Sequence, residues 1–105
     1  MHPTLNLSKQ LRSEVTQNLN IIINCAANID LSENLDTAVR LNVSGPLELL
    51  KLARESPCME VFVQVSTVFV NCDRTGYVEE VIYPSGNNST DWKADYDKIQ
   101  NMSKH

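Results

Sequence analysis

Two short stretches hold the residues whose types and spacing could do chemistry. Asn24-Cys25-Ala26-Ala27 closes the apolar run that starts at Leu19. Its small side chains would let a dinucleotide lie against the backbone at the carboxyl end of a strand. Ser66-Thr67 follows the apolar run Val61–Val65 and sets two hydroxyls at its end. Such a pair also serves simply to cap or turn a chain. Asn42 stands between the two stretches on the apolar face of a helix, where its amide could instead bind only backbone carbonyls. Ala26 and Ala27 would equally suit a tight core.

Other chemistries are poorly supplied. Cys25, Cys58 and Cys72 are an odd number with no close pair, which argues against a disulfide framework and a Cys-rich metal site and for a reducing environment. Cys25 reads as a small buried hydrophobe. His2 and His105 stand at the termini and read as solvated. A net charge of −4 and an isoelectric point near 5.0 exclude the basic footprint of a nucleic-acid binder. The longest apolar runs are far too short to span a bilayer, and the start lacks the pattern of a secretory signal. The triplets Asn42-Val43-Ser44 and Asn88-Ser89-Thr90 therefore read as chance matches to a glycosylation site.

The elements that must position these residues follow from periodicity. Leu7, Leu11 and Val15 recur four apart, predicting a short helix that Ser8 caps. Leu19–Cys25, with three consecutive isoleucines and no alternation, reads as a strand covered on both faces. Asp30 and Glu33 fit a capping box for a helix running to about Glu55. Gly45-Pro46 should kink that helix or split it, because proline lacks a backbone donor. Glu60–Ser66 reads as a second strand, broken only by polar Gln64. Strand, long helix, strand is a βαβ crossover with parallel strands. Residues 84–91 read as a loop, and the tail to His105 as polar with at most one short helix.

With 105 residues the chain holds one small α/β unit. Open sheets of this class have roughly five or more strands with helices on both faces. A lone βαβ unit leaves edges and faces uncovered, so the expectation is an incomplete Rossmann-like parallel sheet. Its covering would come from the remainder of a longer domain or from a partner chain.

The order of local signals is more specific. Asn24-Cys25-Ala26-Ala27 is followed by Asn42-Val43-Ser44-Gly45 with Glu48-Leu49-Leu50-Lys51-Leu52-Ala53. Then come Val61-Phe62-Val63-Gln64-Val65-Ser66-Thr67 and Glu79-Glu80-Val81-Ile82-Tyr83-Pro84. The series resembles the extended short-chain dehydrogenases, and more closely the alcohol-forming fatty acyl-CoA reductases of the male-sterility type. The likeness covers roughly residues 3–84, and residues 1–84 would be the central part of an NAD(P)-binding Rossmann-like domain. Residues 85–105 would be a polar loop and tail.

The resemblance implies roles. Ala26 and Ala27 match backbone lining the cofactor ribose, and Val65 matches a strand-end position beside the nicotinamide ribose. Asn42 matches a helix asparagine that organises a water chain to a catalytic lysine. Thr67, with Ser66 as the alternative, matches the hydroxyl that hydrogen-bonds the substrate carbonyl and steadies a developing alkoxide. The cofactor implied is NADPH, the substrate a fatty acyl-CoA thioester reduced through aldehyde to alcohol. Association with peroxisomal or endoplasmic-reticulum membranes is a further implication. No metal is implied.

Two devices of the family are not in this sequence. Gly45, Gly76 and Gly86 cannot form a glycine-rich phosphate turn. Tyr77, Tyr83 and Tyr96 are followed four residues on by Val81, Asn87 and Gln100, so no Tyr-x-x-x-Lys motif exists to supply a proton. The chain alone is therefore not expected to turn over substrate. Two other readings stay open. One is a degenerate, non-catalytic relative serving as a structural or interaction piece. The other is the same superfamily acting on a nucleotide sugar or a carrier-bound thioester.

Overall fold

The structure is a computed structural model that describes residues 5–83 and 91–102. The expectations placed on His2, His105, Asn88-Ser89-Thr90 and most of the loop at 84–91 lie outside the described residues. The chain divides into two compact units, residues 1–65 and 66–105.

The first unit runs helix, strand, broken helix, strand. Helix α1 spans Lys9–Asn18, and Ser8 Oγ accepts from the Leu11 N–H at 3.2 Å, as the spacing predicts. Strand β1, Ile21–Asn24, pairs in parallel with β2, Val61–Gln64, with Ile21 opposite Val61 and Asn24 opposite Gln64. This is the expected βαβ crossover and fits a partial Rossmann-like fold.

The crossover helix begins later than the capping box suggests. Asp30 does not cap it. Its carboxylate accepts from both the N–H and the hydroxyl of Ser32, closing a local turn. The reciprocal half of the box is taken elsewhere, since the Asp30 N–H donates to Asn28 Oδ1 and the Glu33 carboxylate accepts from Asn28 Nδ2 and the Asn34 N–H. Helix α2 therefore covers only Leu35–Val39, with Asn34 as its N-cap.

A π turn, Arg40–Ser44, follows, and helix α3 spans Gly45–Glu55. The Gly45 N–H donates to the Arg40 carbonyl, five residues back rather than four. Pro46 explains why the α pattern fails there, since it has no N–H to offer the Asn42 carbonyl. Helix α3 ends at Glu55 because Ser56, which precedes Pro57, is extended at φ −94° and ψ 108°. Ser56 Oγ then donates to the Leu52 carbonyl at 2.8 Å.

Leu52 and Ala53 on α3 are the buried apolar residues of the first unit. Ile22 and Phe62 are half-buried on the sheet face that α3 covers. Their neighbours Ile21, Ile23, Val61 and Val63 are exposed on the other face, Ile23 by 65%. The expectation of cover on both faces is met on one face only, because no described element of the first unit lies on the second. Arg12 on α1 grips Glu55 at the end of α3 in a two-pronged ion pair of 2.7 and 2.9 Å.

The second unit starts with a 3-10 turn, Val68–Asn71, and a loop in which Gly76 takes φ +81°, a region that side chains rarely tolerate. Helix α4 spans Trp92–Met102, and Asp91 accepts from the Lys93 and Ala94 N–H groups at its start.

Candidate active site

In the first unit the candidate residues gather at the carboxyl ends of β1 and β2. Asn24 is 6% exposed, and its Nδ2 donates to Gln64 Oε1 at 2.8 Å across the parallel pair. Asn24 Oδ1 accepts from the Ala26 N–H at 3.4 Å. Gln64 Nε2 donates to the Val65 carbonyl at 3.0 Å. The Val65 N–H in turn donates to the Asn24 carbonyl at 2.9 Å, extending the ladder one residue beyond β2. Ala26 and Val65 are thus tied to the same pair of side chains, and both are exposed along with Ala27.

Asn42, on the π turn, reaches the loop that leaves β1. Its Oδ1 accepts from the Asn28 N–H at 2.8 Å and its Nδ2 donates to the Asn28 carbonyl at 2.9 Å. The Asn28 side chain donates to Glu33 Oε2 at 3.1 Å and accepts from the Asp30 N–H at 2.9 Å. The Asn42 amide therefore holds backbone.

Cys25 is exposed on this loop, which corrects the reading of it as a buried hydrophobe. Cys58 and Cys72 are exposed and free as well.

Ser66 and Thr67 belong to the second unit. Both are exposed, and Thr67 Oγ1 accepts from the Phe69 N–H at 3.2 Å, capping the 3-10 turn. The capping role is thus occupied, yet a hydroxyl that accepts one bond keeps its proton to donate. Tyr83 closes the loop that follows. Its hydroxyl accepts from the Glu79 N–H at 2.9 Å, and the Arg74 guanidinium sits 3.7 Å above its ring.

Among the described residues no cluster of His, Cys, Asp or Glu could hold a metal ion, and no helix is long and apolar enough to cross a membrane. Two residues of the site carry little signal in the sequence. Gln64 stands out only as the polar break in an apolar strand, and nothing local marks Asn28.

The profile of the male sterility protein family, an NAD-binding family, matches residues 1–105. The chain belongs to this family. It is 42% identical over 82 residues to fatty acyl-CoA reductase 1 of Gallus gallus, covering 78% of this chain and 16% of that protein. Human fatty acyl-CoA reductase 1 is 40% identical over the same length and shares. Bovine fatty acyl-CoA reductase 2 is 38% identical over 78 residues, covering 74% of this chain and 15% of that protein. The chain thus spans about one sixth of these relatives' length. No solved structure matches it significantly. Family membership accounts for the parallel βαβ unit and for a nicotinamide cofactor, since an NAD-binding domain must present strand ends to a dinucleotide.

Proposed function

We propose that this chain forms the nicotinamide-side half of the active site in an NADPH-dependent fatty acyl-CoA reductase. The observation that carries the reading is the register of Asn24 against Gln64, which brings Ala26, Ala27 and Val65 to one carboxyl edge of a parallel pair. Open α/β sheets bind dinucleotides at that edge. The exposed methyls of Ala26 and Ala27 leave backbone open to a ribose, so the residues present fit this half of the cofactor. The pyrophosphate would need a glycine-rich turn that this sequence does not contain.

The bound cofactor would supply hydride chemistry: one equivalent to the thioester carbonyl, with cleavage of the C–S bond and release of CoA thiol, and a second equivalent to the aldehyde. Thr67 donates a hydrogen bond to the carbonyl oxygen while negative charge grows there, which lowers the barrier more than it stabilises the ground state. Asn42 holds the Asn28 loop in place and, by the family resemblance, helps organise the water chain of the proton path. Val65 flanks the nicotinamide ribose. The exposed thiols of Cys25, Cys58 and Cys72 suit a reducing compartment. The uncovered sheet face suits a remainder of the domain, or a partner chain, packed on it.

The test is NADPH consumption by the complete gene product with acyl-CoA thioesters of graded length, with fatty alcohol as the product measured. Turnover that Thr67→Ala lowers about a hundredfold and Thr67→Ser preserves supports the reading. A complete product that folds and binds NADPH but reduces no acyl-CoA would sink it. The uncovered face formed by Ile21, Ile23, Val61 and Val63 favours one second reading, a non-catalytic interaction piece. Failure to bind any nicotinamide dinucleotide would favour that alternative.

A further inference from the structure

Gln64 has no role in the reading so far. It is the polar break between Val61-Phe62-Val63 and Val65 and is itself exposed, so its own placement costs little. Its partner is the residue that needs it. Asn24 is 94% buried, taking its 6% exposure from the whole, and a buried amide without an acceptor is strongly disfavoured. Gln64 Oε1 is the acceptor for Asn24 Nδ2.

The amide of Gln64 then continues to the Val65 carbonyl through Nε2, and that of Asn24 to the Ala26 N–H through Oδ1. Each amide gives one hydrogen bond and takes one. The result is a directed chain from the Val65 carbonyl through Gln64 and Asn24 to the Ala26 amide. Its two ends are the backbone of the two segments assigned to the cofactor.

We propose that Gln64 is a positioning residue for the nicotinamide cofactor, fixing the Val65 and Ala26 backbones in one register without touching the dinucleotide. This rests on the reading that Ala26, Ala27 and Val65 line the cofactor site. Gln64→Leu breaks both links and strands the Asn24 amide. Gln64→Glu keeps an acceptor for Asn24 but sets a carboxylate against the Val65 carbonyl, so it restores only one link.

The experiment measures NADPH affinity by nicotinamide fluorescence, with KM and kcat, for the complete gene product and its variants. Gln64→Leu is expected to weaken NADPH about tenfold, as for a factor arising from one or two hydrogen bonds, with KM for acyl-CoA within about twofold. Gln64→Glu should fall between Gln64→Leu and the unchanged protein. A lowered melting temperature with unchanged NADPH affinity in either variant would mean a purely structural role and overturn the proposal. If Gln64→Leu does not fold, Gln64→Glu decides the matter by the same criterion. Ala27→Leu separates the two levels. If it leaves NADPH affinity unchanged, the cofactor-lining reading fails and this proposal falls with it. If it weakens NADPH while the Gln64 variants do not, the lining reading stands and Gln64 is not the positioning residue.

Discussion

Asn42 holds both backbone groups of Asn28, fourteen residues earlier, with its oxygen on the N–H at 2.8 Å and its nitrogen on the carbonyl at 2.9 Å. One side chain thereby replaces the pairing that a loop residue would otherwise seek from water. Asn42→Ala should speed hydrogen exchange at the Asn28 amide and lower kcat/KM of the complete gene product about tenfold. Asn42→Asp should do no better, since its carboxylate meets the Asn28 carbonyl. Unchanged exchange at Asn28 in Asn42→Ala would remove the basis for a positioning role.

Thr67 is expected to separate its two duties cleanly. Thr67→Ser keeps the hydroxyl for both the Phe69 N–H and a substrate carbonyl, and should retain most turnover. Thr67→Ala should lower kcat about a hundredfold, the scale of losing one donor to a developing oxyanion. Steady-state NADPH oxidation reads both variants.

Pro46→Ala returns an N–H to the helix and removes the reason for the π turn. The crossover should gain helix stability while Asn42 turns away from Asn28. The expected outcome is a melting temperature equal to or above that of the unchanged protein together with lower turnover. A loss of stability at unchanged turnover would contradict it.

The Arg12–Glu55 pair sets an acid limit on the packing of α1 against α3. The hydrogen bond from Arg12 holds the Glu55 carboxyl below its usual range, with nearby positive charge acting in the same direction and partial desolvation opposing both. A carboxyl whose folded pKa is depressed contributes stability above its unfolded value and loses it as pH falls through the folded one. Protection of α1 amides should therefore hold at neutral pH and decline in acid below the ordinary glutamate range. Glu55→Gln should flatten that dependence, as measured by hydrogen exchange against pH.

Tyr83 makes two different contacts that substitution can split. Tyr83→Phe loses the bond from the Glu79 N–H and keeps the ring under Arg74. Tyr83→Ala loses both, including a cation–π contact of about 0.5–1 kcal/mol at an exposed site. Proteolytic nicking between Asp73 and Ile82 should rise from the native protein to Tyr83→Phe and again to Tyr83→Ala.

What could be read from the residues alone divides by range. The Ser8 cap, the two strands and the end of α3 before Ser56-Pro57 were legible because each depends on neighbours a few positions away. The capping box at Asp30 and Glu33 misled because Asn28 takes both the Asp30 N–H and the Glu33 carboxylate that the box would pair. The bond from Asn42 to Asn28 and that from Asn24 to Gln64 depend on how the crossover returns and on strand register, which no local pattern encodes. Exposure of Cys25 is likewise a tertiary property that no local pattern encodes. The family signal itself was legible because four short motifs fall in order.

The five-residue turn at Arg40–Ser44 also works as a phase shifter. Each helical residue advances the direction of its side chain by about 100°, so one residue added to a turn rotates everything downstream relative to everything upstream. Asn42 can address the loop beyond β1 while Leu52 and Ala53 address the sheet because the two are not held to one unbroken α-helical phase. A single-residue insertion or deletion between Val39 and Gly45 would therefore leave each half of the crossover helical and still put one of its two faces out of register.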